Sequence, residues 1–315
     1  MANKNSKIYD RKRNTLDKLR KAQRIFVPMS DCTNMPFVLC DPETYDDEVL
    51  IFFDEETAKQ EAAKLVGQKN PLHLIRLEQK FLLSFYSSLL PMGVNALLVG
   101  RGTKEELRLQ LSELISRKGG DGDEKGRKIL ENPEFVLTAL YFMQKQRAVK
   151  EPEMTEEVKE LQEEMLAHYG KGRYIVAYQK DRGMPILRQK DGTVMQPVFT
   201  DVQEFIKFQN TNKDVKFQTA VIEAGKIPEV MAKEAAGIVV NPYSINLHLK
   251  IQRPMAKAAS RPTTQQILAA AADAGVRESL KAENAAEIEA RQAMQASLES
   301  NVQEVLEENA VQSDD

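Results

Sequence analysis

Two glycine-containing turns have residue types and spacings that could bind charged ligands. The first, Val99-Gly100-Arg101-Gly102-Thr103-Lys104, follows an apolar run and precedes a helix-like pattern. Glycines in that context let backbone N–H groups approach phosphate oxygens closely. The segment has neither the third glycine of a dinucleotide-binding fingerprint nor the Gly-Lys-Ser/Thr ending of a P-loop. We therefore favour a strand-to-helix turn with Thr103 as the helix cap.

The second turn, residues 121–126, begins like a calcium-binding loop. Asp121 and Asp123 would occupy ligand positions one and three. Position five is Lys125 and position twelve is Asn132, where a bidentate glutamate is needed. Because a lysine ammonium opposes a divalent cation, we favour a metal-free loop.

The histidines and cysteines lack the spacing of a metal site or of a nucleophilic catalyst. His73, His168 and His248 are far apart, and Cys32 and Cys40 are not in a CxxC arrangement. A Gly-x-Ser-x-Gly elbow is also absent from the sequence. The sequence therefore predicts no catalytic residue, no metal ligand and no cofactor. Whether the chain is an enzyme stays open, and the non-enzymatic interpretation is favoured.

Glu78 and Glu223 are the one pair of ionic residues at matching positions of two similar segments, each at the end of an apolar run. One interpretation is a pair of functional carboxylates facing a cleft. The other is a carboxylate at a helix N-terminus, which the helix dipole stabilises. We favour the second interpretation.

These carboxylates belong to a pattern that occurs twice, at an offset of about 144 to 149 residues. Element order and spacing are kept together with residue type, which indicates two copies of one domain-sized unit. The matched segments are Met35–Leu39 with Met184–Leu187, Leu50–Asp54 with Gln196–Thr200, Leu74–Glu78 with Thr219–Glu223, and Met92–Val94 with Ala236–Ile238. Each copy has strand-like runs and two helical patterns, so the predicted fold class is mixed α+β.

The elements predict five segments along the chain. Asp54 is a predicted helix cap in the first copy, and Asp191-Gly192 predicts a hairpin in the second. Between the copies, a capping box at Thr103–Glu106 predicts a helix that continues through Ile115. The segments are a basic N-terminal arm (1–24), copy 1 (25–102), a helical insert (103–172), copy 2 (173–250), and a linker with an acidic Ala/Glu-rich tail (251–315).

Charge is unevenly distributed, although the formal net charge is only −3. Residues 1–24 carry nine Lys or Arg against two Asp. A basic arm can bind nucleic acid, but nearly no aromatic residue accompanies it, and we favour a solvated helix start. We expect residues 1 to about 20 and 250 to about 265 to be mobile. No apolar run is long enough to predict a membrane span.

The acidic tail has one narrow apolar stripe. Met294, Leu298, Val302 and Val305 follow the spacing i, i+4, i+8, i+11, which places them on one side of a helix. Such a helix is marginal alone. We therefore predict that these four residues bind a protein partner or another part of this chain.

The second copy resembles a known family. The residues that carry the resemblance are Met184-Pro185, Pro197-Val198-Phe199-Thr200-Asp201 and Ala236-Gly237-Ile238-Val239-Val240-Asn241-Pro242-Tyr243. They are similar to the SseB N-terminal domain of the bacterial enhanced serine sensitivity family. The first copy resembles it more loosely, with Asp54 in place of the capping Thr and Val99-Gly100-Arg101-Gly102 in place of Asn-Pro. The resemblance implies a fold and a bacterial cytoplasmic setting, and no catalytic residue.

Two functions remain open from the sequence. The favoured one is a cytoplasmic, non-enzymatic protein-interaction module, an adaptor or regulator, with two SseB-like domains. The sparse cysteines agree with a reducing compartment. The alternative is an enzyme or a binder of a small, amino-acid-linked metabolite that uses the groove between the two domains. The identity of the partner and the oligomeric state stay open.

Overall fold

A computed structural model describes residues 2–116, 130–148, 154–179 and 182–252. These residues form two compact units, unit 1 up to residue 116 and unit 2 from residue 130 onward. Both units mix helices and sheets, so the predicted α+β class is confirmed.

Unit 1 opens with a helix and then alternates strands with helices. Its elements are α1 (Ala2–Lys21), β1 (Arg24–Ser30), β2 (Met35–Pro36), β3 (Val38–Cys40), β4 (Asp47–Ile51), α2 (Glu55–Gly67), β5 (Leu72–Glu78), α3 (Gln79–Leu89), β6 (Ala96–Val99), β7 (Leu107–Gln110) and α4 (Leu111–Leu114). The cap of α2 is the predicted one, because the Asp54 carboxylate accepts a hydrogen bond from Thr57 N at 2.8 Å.

The strands of unit 1 pair in the orders β2-β1-β5 and β3-β4-β6-β7. β4 and β6 are parallel, and the other pairs are antiparallel. The two sheets join where Phe26 and Phe52 exchange backbone hydrogen bonds of 2.8 and 3.0 Å. The continuous order is therefore β5-β1-β4-β6-β7.

Unit 2 adds one helix in front and then repeats the alternation. Its elements are α5 (Pro133–Arg147), α6 (Glu156–Lys171), β8 (Arg173–Tyr178), β9 (Leu187–Arg188), β10 (Val194–Phe199), α7 (Val202–Thr211), β11 (Gln218–Glu223), a 3₁₀ turn (Ala224–Lys226), α8 (Ile227–Val230), β12 (Gly237–Val240) and β13 (Leu247–Lys250). The sheet order is β11-β8-β10-β12-β13, with β9 against β10. The hairpin predicted at Asp191-Gly192 joins β9 to β10.

The register of strands β5-β1-β4-β6-β7 corresponds to that of β11-β8-β10-β12-β13. It corrects two matches made from the sequence: Asp54 corresponds to Asp201 in place of Thr200, and Leu97 in place of Val94 corresponds to Ile238. Arg24 lies opposite Glu78 in unit 1, and Arg173 lies opposite Glu223 in unit 2. In each unit the two central strands are parallel and the strand that follows them is antiparallel. Three further corresponding pairs are Phe26–Phe52 with Ile175–Phe199, Ile51–Val99 with Val198–Val240, and Leu97–Leu109 with Ile238–Leu249.

One core cluster of each unit lies between the sheet and the helix that follows its first central strand. In unit 1, Leu50 and Phe52 pack with Ala58 and Leu65 of α2. In unit 2, Phe199 packs with Phe205 and Phe208 of α7, at ring-centroid distances of 5.7 and 5.2 Å. Burial of such large side chains is the main stabilising contribution in domains of this size.

Where the sequence predicts a mobile arm without buried residues, the structure has a helix with a buried side chain. Residues 2–21 form α1, and Leu19 on its inner side is fully buried. The Arg11 guanidinium donates to the carbonyl oxygens of Lys104 and Glu106, at 3.2 and 2.7 Å. The basic residues of this arm therefore hold it to unit 1.

The prediction of a helix that begins at Thr103 is wrong. Leu107–Gln110 is strand β7, and only the single turn Leu111–Leu114 that follows is helical. The leucine spacing fitted a helix, but β6 would present an open edge without β7 beside it. Arg108 makes an ion pair with the buried Glu48 of β4, which fixes the strand in place.

Candidate functional site: a buried polar cluster where two parallel strands end

In unit 2 the parallel strands β10 and β12 end side by side. The residues that follow them are Thr200 and Asn241. In open α/β sheets, ligands bind at the carboxyl ends of parallel strands. This edge of the sheet is therefore where a functional site is expected first.

Thr200 and Asn241 are tied to each other by two hydrogen bonds. Thr200 N donates to Asn241 Oδ1 at 3.0 Å, and Asn241 Nδ2 donates to Thr200 Oγ1 at 2.7 Å. From the segment before α5, Asn132 Nδ2 donates to Thr200 O at 2.8 Å and to Arg173 O at 2.9 Å. Asn241 has φ +48°, a left-handed conformation that asparagine tolerates better than most residues.

Two carboxyl groups, Asp201 and Glu204, lie in the same cluster at the start of α7. Asp201 caps the helix, because its Oδ1 accepts from Glu204 N at 3.0 Å, and its Oδ2 accepts from Thr200 Oγ1 at 2.8 Å. Glu204 Oε1 accepts from Lys207 Nζ at 2.6 Å, and its Oε2 accepts from Ser244 Oγ at 2.7 Å. We call Thr200, Asp201, Glu204 and Ser244, together with Asn132 and Asn241, the polar cluster.

Burial and hydrogen bonding shift the pKa of Asp201 in opposite directions. Loss of water around the carboxylate, together with the nearby charge of Glu204, raises the pKa of Asp201 to about 6. The hydrogen bonds from Thr200 and from Glu204 N act in the opposite direction, as does the Lys207 ammonium. Asp201 is therefore a buried acid that titrates well above an ordinary aspartate.

Unit 1 has the same helix cap in a different environment. Asp54 is exposed, and the hydrogen bond from Thr57 N holds the pKa of its carboxyl below the usual value. By the strand register, Phe53 stands where unit 2 has Thr200, and Gly100 stands where unit 2 has Asn241. The polar cluster is thus a feature of unit 2.

The polar cluster is suited to holding backbone together. Thr200, Asp201, Glu204, Asn241 and Ser244 are each less than 10 % exposed. Each of these side chains has a hydrogen-bond partner inside the cluster. A carboxyl with a raised pKa can exchange a proton near neutral pH, but a substrate would first need access to it. The arrangement fixes the ends of β10 and β12 to the start of α7.

In the glycine turn of unit 1, donor groups that could bind a phosphate already make hydrogen bonds within the protein. Gly100 and Gly102 have φ +65° and +78°, a left-handed conformation that favours glycine. Gly102 N donates to Glu106 Oε2 at 2.7 Å, and Thr103 Oγ1 donates to Gly100 O at 2.7 Å. The turn leads into β7, so Thr103 does not cap a helix as predicted.

Glu78 and Glu223 lie in separate units, each at the end of an outer strand. Glu78 is the residue before α3, makes no capping hydrogen bond, and pairs with Arg76 at 3.0 Å. Glu223 precedes the 3₁₀ turn and pairs with Lys226 at 3.0 Å. Both side chains are about half exposed, which suits surface ion pairs of small energy.

The histidines make separate local contacts. His73 Nδ1 lies 2.6 Å from Asp31 Oδ1, His248 Nε2 lies 3.1 Å from Asn246 Oδ1, and His168 contacts α5. Within the part of the chain that the structure describes, no three His, Cys, Asp or Glu side chains are arranged to hold a metal ion.

Three expectations fall outside the described residues. They concern the possible calcium loop at 121–126, the linker at 254–265, and the tail stripe of Met294, Leu298, Val302 and Val305. These remain predictions from the sequence.

The sequence analysis placed Thr200, as the capping Thr, and Asn241 in family-like segments, but it missed the polar cluster they form. The residue that caps α7 is Asp201. The partners are distant in the chain: Asn241 lies 41 residues after Thr200, and Ser244 lies 40 residues after Glu204. A usable signal appears when the copies are matched by strand register, since Thr200 and Asn241 of unit 2 then replace Phe53 and Gly100 of unit 1. The sequence match paired Thr200 with Asp54 and hid this signal.

Comparison with known families agrees with the resemblance in unit 2. The family described as SseB protein N-terminal domain matches residues 148–251, which run from the end of α5 through β13. This is a single match, so it does not confirm the two tandem copies predicted from the sequence. A search of curated proteins found no significant match.

Two solved structures are weakly similar to this chain. Tic22 from Plasmodium falciparum is 13 % identical over 71 % of this chain and 90 % of its own, with a TM-score of 0.18. Tic22 from Anabaena, a protein-transport protein, is 10 % identical over 71 % of this chain and 92 % of its own, also with a TM-score of 0.18. In the described ranges, no helix has the length and apolar character needed to cross a membrane.

Proposed function

We propose that this chain is a non-enzymatic protein-interaction protein of the bacterial cytoplasm, built from two SseB-like units in tandem. The proposal rests on one observation: at the sheet edge where ligands usually bind, the polar groups already have partners within the protein. In unit 2 the polar groups at this edge are bound to one another and buried. In unit 1 the backbone donor of Gly102 is taken by Glu106.

The tandem arrangement is supported by the strand pairing. The order β5-β1-β4-β6-β7 corresponds to β11-β8-β10-β12-β13, with parallel and antiparallel pairs in the same places. The helix before the first strand also corresponds, α1 in unit 1 and α6 in unit 2. We therefore extend the two copies to residues 2–116 and 154–252. An experimental structure in which the two sets of five strands differ in order would contradict this.

A protein-binding role is supported by large apolar side chains on the outer sides of helices. Leu83 on α3 is 67 % exposed, and Leu166 on α6 is 44 % exposed. Complete burial of one leucine contributes about 1.5–3 kcal/mol before the cost of ordering. Such residues would be the apolar contacts of an interface, although the cost of association offsets part of their contribution.

Site-specific photo-crosslinking in cells tests the proposal. A photoreactive amino acid replaces Leu83 in one variant and Leu166 in another, and the matched controls carry it at Lys80 of α3 and Glu163 of α6. We expect discrete higher-mass adducts from a leucine position and none from its control. Absence of adducts at both leucine positions would contradict a protein-binding role for these surfaces.

The same purified chain tests the rival function. A thermal-shift screen with amino acids and related metabolites at millimolar concentration would raise the melting temperature of a metabolite binder by several degrees. We expect no such rise. A reproducible rise with one ligand class would replace our proposal with a binder or enzyme of that class.

A further inference from the structure

In unit 2, the helix α5 packs along the length of the helix α6. Near its first turn, Glu157 pairs with Lys145 of α5 at 2.8 Å. Near its last turn, the Tyr169 ring lies 5.8 Å from the Phe135 ring of α5. The two helices are therefore an antiparallel pair, in which α5 covers one side of α6.

The helix α1 occupies the corresponding place in unit 1, immediately before the first strand. The described residues of unit 1 contain no counterpart of α5 beside it. Its inner side is bound to the unit, with Leu19 buried and Lys12 paired with Glu113 at 2.7 Å. Two large apolar side chains in its first half are open, Ile8 at 54 % and Tyr9 at 68 % exposure.

The charges indicate what kind of helix would cover this side. In unit 2, α6 has glutamates along its surface, and α5 places basic residues at its own C-terminal end beside them. In unit 1 the sign is reversed, because α1 has eight Lys or Arg and two Asp. No described ion pair involves Lys7 or Arg13, which flank Ile8 and Tyr9. A covering helix for α1 should therefore be acidic.

One segment of this chain has that chemistry. Residues 283–315 contain nine Asp or Glu and one Arg, for a net charge of −8. The apolar stripe of Met294, Leu298, Val302 and Val305 lies inside this segment. A helix with these residues on one side presents apolar groups toward Ile8 and Tyr9 and carboxylates toward the basic rim.

We propose that residues 294–305 dock as a helix against the first half of α1, around Ile8 and Tyr9, within the same chain. More than 40 residues connect Gln252 to Met294, and even partly extended they reach any face of the molecule. Tethering gives the segment a high effective concentration, which favours its own α1 over that of a second copy. The docking concerns the chain alone and does not depend on an external partner.

Hydrogen–deuterium exchange of the full-length protein tests the contact. We expect amides of residues 294–305 to exchange at least tenfold more slowly than in the variants Tyr9→Asp and Leu298→Asp. The control Tyr45→Asp changes another exposed tyrosine of unit 1 (76 % exposed) and should leave the tail protected. Protection of the core strands of unit 1 must stay the same in all variants. Equal exchange of the tail in wild type and in Tyr9→Asp would overturn the proposal.

A second measurement covers the case in which Tyr9→Asp disturbs the fold. In a Cys40→Ser background, Asp10→Cys and Ser297→Cys, which neighbour the docking residues without belonging to them, are joined by a short bismaleimide, and the native Cys32 is buried. We expect a cross-link inside one chain, seen as a linked peptide pair at monomer mass. Cross-links only between isotope-labelled and unlabelled chains would assign the contact to a second copy and overturn docking within the chain, as would no cross-link at all.

The charge complementarity has its own test. Arg13→Glu should release the tail and raise its exchange rate several-fold, and Glu299→Lys in the same chain should restore protection. Because the apolar contact remains, 0.5 M NaCl should weaken protection less than Leu298→Asp does. A tail released fully by salt but unaffected by Leu298→Asp would show nonspecific charge attraction in place of the docked helix.

Discussion

Replacement of Thr200 by valine removes one hydroxyl group and keeps the shape of the side chain. The hydroxyl donates to Asp201 Oδ2 and accepts from Asn241 Nδ2. Its loss leaves a buried amide donor without that acceptor and a buried carboxylate without one of its donors. Each unmet group costs about 1–3 kcal/mol, and the two effects overlap because they share one cluster. We expect Thr200→Val to lower the free energy of unfolding of unit 2 by about 3 kcal/mol.

The assay is urea denaturation followed by far-ultraviolet circular dichroism, with thermal melting as a second readout. For a unit of roughly 100 residues, a loss of about 3 kcal/mol corresponds to a fall in Tm of about 12 °C or more. The matched control is Thr211→Val, in which the lost hydroxyl bonds only to Lys207 O at the exposed end of α7. The control should cost less than about 0.5 kcal/mol.

The pH dependence separates the polar cluster from a simple packing effect. A carboxyl whose pKa is raised on folding costs stability as pH rises from its unfolded value, about 3.9, through the folded value, about 6 for Asp201. The Thr200 hydroxyl favours the ionised form, so its removal raises the pKa of Asp201 further, and the loss in Thr200→Val should be larger at pH 8 than at pH 5. Asp201→Asn should abolish the fall in stability between pH 4 and 6. A loss in Thr200→Val below 1 kcal/mol, or one equal at both pH values, would refute this account.

Two further changes test the packing of each unit. Gly237→Ala should cost about 2–3 kcal/mol in urea denaturation, since an added Cβ would lie 2.1 Å from Leu249 O and force β12 from β13; Gly225→Ala, with open space around it, should cost little. Leu19→Ala should cost about 2–5 kcal/mol because this side chain of α1 is fully buried, whereas the exposed Leu83→Ala should change stability by less than about 0.5 kcal/mol. A Leu19→Ala effect as small as that of Leu83→Ala would mean that α1 is not part of the folded unit.

Local signals in the sequence predicted the elements whose cause is local. The cap at Asp54 and the hairpin at Asp191-Gly192 each depend on residues within a few positions of each other. The helix predicted from Thr103 failed because its cause is distant: Leu107–Gln110 is a strand since β6 lies beside it. A leucine spacing of i, i+4 also fits a strand that is followed by one turn of helix.

The polar cluster was missed for the same reason at the level of side chains. The hydrogen bonds that bring its separate segments together join residues 40 or more positions apart, and a pattern of sequence neighbours contains no record of them. The same holds for the pKa of Asp201, which depends on burial. Asp54 and Asp201 have the same role as helix caps, yet the pKa is lowered in one and raised in the other.

The two units close the same edge of the sheet by different means. In unit 2 the polar cluster does so from within. In unit 1, where Phe53 and Gly100 replace its central residues, α1 lies over the edge: Lys18 Nζ is 4.1 Å from the Phe53 ring centroid, and Arg11 bonds the carbonyl oxygens that follow the glycine turn. In unit 1 an apolar ring lies beneath a basic helix, and in unit 2 polar groups bond to one another. Both arrangements cover the ends of the two parallel strands. Since the basic residues of α1 are partly engaged at this edge, they are less available to nucleic acid, and the charge that remains faces outward beside Ile8 and Tyr9.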